Sequence, residues 1–253
     1  MLCARSGVLA QQSYPTNYFN NPLKIPIQLA GSFAECRPNH FHTGIDIKTN
    51  NQENLPVLAA ADGFISRISV SHAGYGYCLY LQHPNRYTTV YGHLNKFMPE
   101  VMEYVRQQQY AQQKWNVDLQ LKSNQFPYRK GTQIAYSGNT GGSTAPHLHF
   151  EIRDTRTELV QDPLLFGLPV TDNIAPKASK LAFYDSDNYY ESTPLIVPSS
   201  PPAKKKGTAP TSDIIMVPYA KTMVGVDAKD FSNGSSNWLG VSFLQLHFDG
   251  TPV

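Results

Sequence analysis

The sequence predicts a mainly β protein: an antiparallel β-sheet domain with one helical insertion, followed by a truncated β-sandwich-like domain. Three observations carry that expectation. Aromatic residues are plentiful, with 15 Tyr and 12 Phe, while charged residues make up only 16% of the 253. The 19 Pro and 17 Gly break the chain too often for long helices. Between those breaks the apolar residues fall in short or alternating runs, and helical spacing holds through a single segment.

Taken in order, Gly44 to Lys48 alternates after a turn, and Pro56 to Ile65 reads as strand, Asp62-Gly63 turn, strand. Tyr77 to Leu81 and Tyr87 to Tyr91 flank a His83-Pro84-Asn85-Arg86 turn and form a hairpin pattern. Gln133 to Tyr136 and His147 to Ile152 complete the antiparallel set. The helical insertion covers about 99–116, where Val101, Tyr104, Val105 and Tyr110 recur at near-helical spacing among Gln and Glu. After Asp172 the composition changes. Lys180 to Tyr184, Ser212 to Val217 and Leu239 to Phe248 read as strands, and 198–211 is a Pro/Lys-rich solvated loop. The Asp249-Gly250 turn close to the last residue suggests that this second domain is incomplete.

The expected divisions are thus a leader remnant at 1–13, a first domain at 14–172 and a β-rich accessory domain at 173–253. Val8-Leu9-Ala10 has the small-residue form of a signal-peptidase site, so the protein is expected to be exported, to the periplasm or cell envelope. No apolar run is long enough to span a membrane. A net charge of +2 is too small to argue for nucleic acid. Export would permit a disulfide between Cys36 and Cys78, but they are read as two semi-buried free thiols, since neither sits in a cysteine framework; neither is at metal-ligand spacing.

Three distant stretches carry chemistry: His42-Thr43-Gly44-Ile45-Asp46, Tyr91-Gly92-His93-Leu94, and Ala145 to Glu151. In a strand, residues two apart share a face, so His147 and His149 project side by side, with Leu148, Phe150 and Ile152 as apolar backing. Two histidines on one face, with a His/Asp pair upstream, are the raw material of a zinc site. Each signal alone is weak. His72, His83 and His247 have no partner at useful spacing and are read as structural or surface residues.

The order His-x-x-x-Asp, Gly-His-Leu, His-x-His resembles the signature of the lysostaphin/LytM-type zinc endopeptidases, and longer members from Bacteroidetes-like bacteria in particular. The flanking Pro56 to Gly63, Ser137 to Gly141 and Ser143 to Phe150 agree with it. The resemblance implies that His42, Asp46 and His149 bind Zn2+, and that His93 and His147 are catalytic histidines, with His147 the stronger candidate for the base. It implies hydrolysis of peptide cross-links in bacterial peptidoglycan by a metal-activated water. His40 also precedes His42 in a ligand-like pair, but the family spacing to Asp46 selects His42 and leaves His40 in the groove or behind a ligand. A Tyr that supports the oxyanion in some relatives has no equivalent near Glu35-Cys36-Arg37, so Arg37, His93 or no residue there fills that role. A silent LytM-like regulator of other wall hydrolases is the alternative, disfavoured because all three ligands and both accessory histidines are kept. A cupin-like metal barrel, suggested by His147, His149 and Glu151, leaves His42 and Asp46 unexplained.

Overall fold

A computed structural model describes residues 14–123, 125–199, 215–248 and 250–252. The leader reading at 1–13 and most of the Pro/Lys-rich loop lie outside the described residues. The fold is mainly β, with antiparallel sheets and one α-helix. The first strands are β1 (Leu29–Gly31), β2 (Cys36–Arg37), β3 (His40–Phe41), β4 (Ile45–Lys48) and β5 (Pro56–Leu58). Next come β6 (Gly63–Val70), β7 (Tyr77–Gln82), β8 (Tyr87–Leu94) and β9 (Lys96–Phe97). Helix α1 (Pro99–Gln112) precedes β10 (Val117–Gln120), β11 (Pro127–Tyr128), β12 (Gln133–Tyr136), β13 (His147–Asp154) and β14 (Val160–Gln161).

The main sheet runs β1-β4-β13-β8-β7-β6-β10, with β11 and β14 attached to β6 and β13. The expected hairpin is β7 paired with β8. Alternation along β13 explains the layering: Leu148, Phe150 and Ile152 are fully buried, against Ile45, Ile47 and Tyr91 in the same core. Each such side chain contributes roughly 1.5–3 kcal/mol by leaving water. The opposite face of β13 carries His147, His149, Glu151 and Arg153.

Two expectations are corrected. Pro56 to Ile65 is not a hairpin, because β5 pairs with β12 in a separate three-stranded sheet while β6 pairs with β7. Gly63 lacks the positive φ that a tight primed turn needs, and Asp62 instead accepts the Lys130 backbone N–H at 2.7 Å. The helix stops at Gln112, where Gln113 takes a left-handed cap at φ 50°, and it buries Val101 and Val105 while Tyr110 stays exposed.

Beyond a 3-10 turn at Pro163–Phe166, the C-terminal segment builds β15 (Lys177–Asp185), β16 (Leu195–Pro198), β17 (Thr222–Phe231) and β18 (Trp238–Leu239) into one antiparallel sheet. Residues 215–217 form no strand, and the run from Leu239 to Phe248 is interrupted after β18. Strands β19 (His247–Phe248) and β20 (Thr251–Pro252) form a short antiparallel pair. Leu239 is buried with the first sheet's core, and the Gly240 N–H donates to Ser32 Oγ at 3.0 Å. The C-terminal segment therefore braces the loop that precedes His42.

Candidate metal and catalytic site

Strand pairing assembles the site. β4 and β13 are antiparallel in a register that sets His149 opposite Asp46 and His147 opposite Lys48. His42 arrives from the loop just before β4. Its Nε2 lies 3.1 Å from both Asp46 Oδ1 and His149 Nδ1, and the third side, His149 Nδ1 to Asp46 Oδ1, is 3.0 Å. All three residues are buried, and their candidate ligand atoms lie within 4.8 Å of one another.

What surrounds the imidazoles fixes which nitrogen faces inward. A carbonyl can only accept, so His42 Nδ1–H donates to the Ser32 carbonyl at 2.7 Å, leaving Nε2 as the inward atom. His149 Nε2–H donates to Glu151 Oε1 at 2.8 Å, leaving Nδ1 inward. With both rings neutral, three acceptor atoms converge with no hydrogen among them. Two imidazole nitrogens and a carboxylate oxygen are a zinc donor set, and tetrahedral zinc holds its ligand atoms roughly 3.3 Å apart. These residues fit the ion.

Without a metal the cluster keeps a proton. Burial alone would lower His149, but Asp46 and Glu151 outweigh it and push its pKa up to about 9. Burial favours the protonated form of Asp46, yet the adjacent His147, His149 and His42 hold it well below the usual carboxylate range. This predicts a pH signature. A histidine raised in the folded state stabilises fully below its ordinary value of about 6.5 and loses that contribution as pH rises through about 9. The melting temperature of chelator-treated protein is therefore expected to fall between pH 7 and 9.5. Zinc binding at pH 7 is expected to release about one proton, because His149 must deprotonate to ligate. Calorimetry in buffers of different ionisation enthalpy measures this, and proton-neutral binding would contradict the arrangement.

The other two histidines obey the same rule. His93 Nδ1–H donates to the Thr140 carbonyl at 2.8 Å, and His147 Nδ1–H to the Ala145 carbonyl at 2.8 Å. Their Nε2 atoms are the uncommitted ones, and that of His147 lies 3.4 Å from Asp46 Oδ1. The two rings stand 4.8 Å apart. His93 is aimed by a bulge: the β7–β8 register slips by one residue between Tyr77 and Leu79, and His93 adopts φ 57°. Holding a non-glycine there costs about 1–3 kcal/mol, so the surroundings must enforce it. One restraint is the His93 N–H, which donates to the Tyr75 carbonyl at 2.8 Å. Burial first, and the nearby His147 second, lower the His93 pKa to about 4. His93 is thus neutral at ordinary pH.

The sequence alone does not reveal how several residues support the site. Glu151 is fully buried and accepts from Tyr75 Oη at 2.6 Å, from Thr43 Oγ1, and from Arg153 Nε at 2.6 Å, as well as from His149. Burial would raise its pKa, but His149 and Arg153 bring it down to about 2. Period-two alternation from His149 could have flagged Glu151 and Arg153; nothing local marked Tyr75 or Ser32. Arg37, one candidate oxyanion donor, pairs with Glu35 at 2.5 Å and with Asp46 Oδ2 at 2.9 Å, so its guanidinium is already committed. His40 is exposed and bonded to the Pro38 carbonyl. His83 is a buried structural residue held between the Asp62 carbonyl and Thr89, and His72 stacks on Trp115. Cys36 and Cys78 are free, the first exposed and the second buried.

Glycines make room for the ligands. A Cβ on Gly92 would sit 3.3 Å from His149 Cβ, and one on Gly31 would sit 2.7 Å from Asp46 Oδ2. A groove of about 610 Å³ opens beside the cluster, lined by Asp46, Lys48 and His147 and by Asn237 of the C-terminal segment. Among the described residues no helix is long and apolar enough to cross a membrane.

Residues 40–113 match the profile of Peptidase family M23, a stretch that includes His42, Asp46 and His93. An uncharacterized metalloprotease of Haemophilus influenzae is 31% identical over 175 residues, which is 69% of this chain and 30% of that protein. The DD-carboxypeptidase/endopeptidase Mpg of Neisseria meningitidis is 32% identical over 143 residues, 56% of this chain and 26% of that protein. The matched segments therefore span less than a third of either relative. The catalytic domain of lysostaphin from Staphylococcus simulans is 26% identical and aligns over 55% of this chain and 87% of its own, with a TM-score of 0.39. The chain carries a Peptidase family M23 domain.

Proposed function

We propose that this protein is an exported zinc-dependent endopeptidase that hydrolyses peptide cross-links of bacterial peptidoglycan, with residues 14–172 as its catalytic domain. The observation that carries the reading is the convergence of His42 Nε2, Asp46 Oδ1 and His149 Nδ1, each turned inward by a fixed partner on its other side. Relatives named as metalloprotease and endopeptidase support it. Zinc, when bound by these three residues, would supply a Lewis acid that brings a water's pKa from about 15.7 to about 7 and polarises the scissile carbonyl.

The chain's own residues do the rest. His147 Nε2, uncommitted and beside Asp46, takes the proton of the attacking water. As the carbon–oxygen bond forms and the carbon–nitrogen bond breaks, the same nitrogen returns a proton to the leaving amine. His93, neutral through burial, orients the water or supports the developing oxyanion. Arg37 holds Asp46 Oδ2, which keeps Oδ1 aimed inward.

The test is zinc content of the purified protein together with mass spectrometry of digested peptidoglycan. Stoichiometric zinc and cleaved cross-links are expected; a metal-free protein that leaves cross-links intact would defeat the proposal. His147→Ala is expected to retain zinc while kcat falls about 10²–10⁴-fold, the usual contribution of general acid–base catalysis, and His93→Ala to fall less. Near-wild-type turnover in either variant removes that residue from the mechanism.

A further inference from the structure

The groove beside the cluster contains a second positioned charge. Lys48 follows Asp46 by two residues on β4, so both side chains share one face, and its cross-strand partner is His147. Lys48 is therefore one rung along the sheet from the pair Asp46 and His149. Its backbone N–H is tied to the Gln28 carbonyl at 2.9 Å, which fixes the stem, while the half-buried side chain lines the groove with Gln28, Asn50, Asn51 and Thr144. Two cations line this groove. Arg37 is neutralised by Glu35 and Asp46, whereas Lys48 has no carboxylate within ion-pair distance among the described residues.

We propose that Lys48 recognises a free carboxylate next to the scissile amide, and so directs the enzyme to cross-links made to a diamino acid rather than to glycyl bridges. This rests on the endopeptidase reading above and names the substrate class for it. An ammonium one rung from the ligands reaches a group adjoining the reacting carbonyl, and Asp46, the carboxylate that lines the same groove, is already paired with Arg37. A glycyl–glycine bond has no carboxylate in that place and leaves the ammonium without a partner.

The test uses a D-alanyl cross-link whose diamino acid bears the free carboxylate, the same compound amidated there, and ketomethylene isosteres of both in which CO–CH2 replaces the scissile CO–NH. Titration of the isosteres into zinc-loaded protein is expected to show about tenfold tighter binding of the carboxylate form, as a charge-assisted bond allows. The preference should shrink as salt rises. In Lys48→Gln the ratio of the two affinities is expected to fall close to one, and the ratio of kcat/KM for the cleavable pair to fall with it. An unchanged ratio in Lys48→Gln, or no preference in the wild type, overturns the assignment. If neither compound is cleaved while the binding preference is lost in Lys48→Gln, the endopeptidase reading fails and the role of Lys48 stands.

Discussion

Asp46→Ala is expected to leave a folded protein without zinc and with hydrolysis reduced on the order of 10³-fold or more, since the metal's effect on its water is lost. Asp46 supplies the only anionic atom of the triangle, Oδ1, at 3.1 Å from His42 and 3.0 Å from His149. Removing it leaves two neutral nitrogens and takes the partner from Arg37, whose remaining carboxylate is Glu35. Metal analysis and turnover should fall together. If Asp46→Ala kept stoichiometric zinc, the ligand set would need another carboxylate, and among the described residues no other joins the cluster of candidate ligand atoms. Excess zinc should restore little, because the lost atom is a ligand and not a support.

Glu151→Gln should act through His149, and it should also cost stability. Glu151 is 0% exposed and balances Arg153, itself 14% exposed. An amide at 151 removes the charge that Arg153 needs and sets an N–H against one of several donors, His149, Tyr75, Thr43 or Arg153. Breaking one partner of a buried ion pair costs roughly 3–5 kcal/mol, which lowers the melting temperature by roughly 10 °C in a chain of this size. Zinc affinity is expected to drop about 10–100-fold, as when other ligand-supporting carboxylates are changed. Adding Arg153→Met should recover much of the stability without recovering zinc affinity. Recovery of both would show that Glu151 serves packing and not the orientation of His149.

Much of this architecture was legible in the residues. The hairpin of β7 and β8 is written in two alternating runs around His83-Pro84-Asn85-Arg86, and β13 in the alternation of Leu148, Phe150 and Ile152. The insertion shows in Val101 and Val105, which the helix does bury; Tyr110, at the same spacing, is 78% exposed because it faces away from the core. Pro56 to Ile65 misled for a related reason. Each half has strand character, but nothing local says that β5 joins β12 and β6 joins β7.

The site divides along the same line. By itself the sequence determined which residues share a strand face, since period-two alternation is local and sets His147, His149, Glu151 and Arg153 on one side of β13. Its ordered motifs also carried the likeness to zinc endopeptidases. Tertiary structure alone decided which atoms meet. Register between strands distant in sequence puts His149 opposite Asp46, and the bulge at His93 turns that ring toward His147. Docked loops supply the Ser32, Thr140 and Ala145 carbonyls that choose the inward nitrogens of His42, His93 and His147. Those partners are backbone atoms, identical in every residue, so no side-chain pattern can announce them.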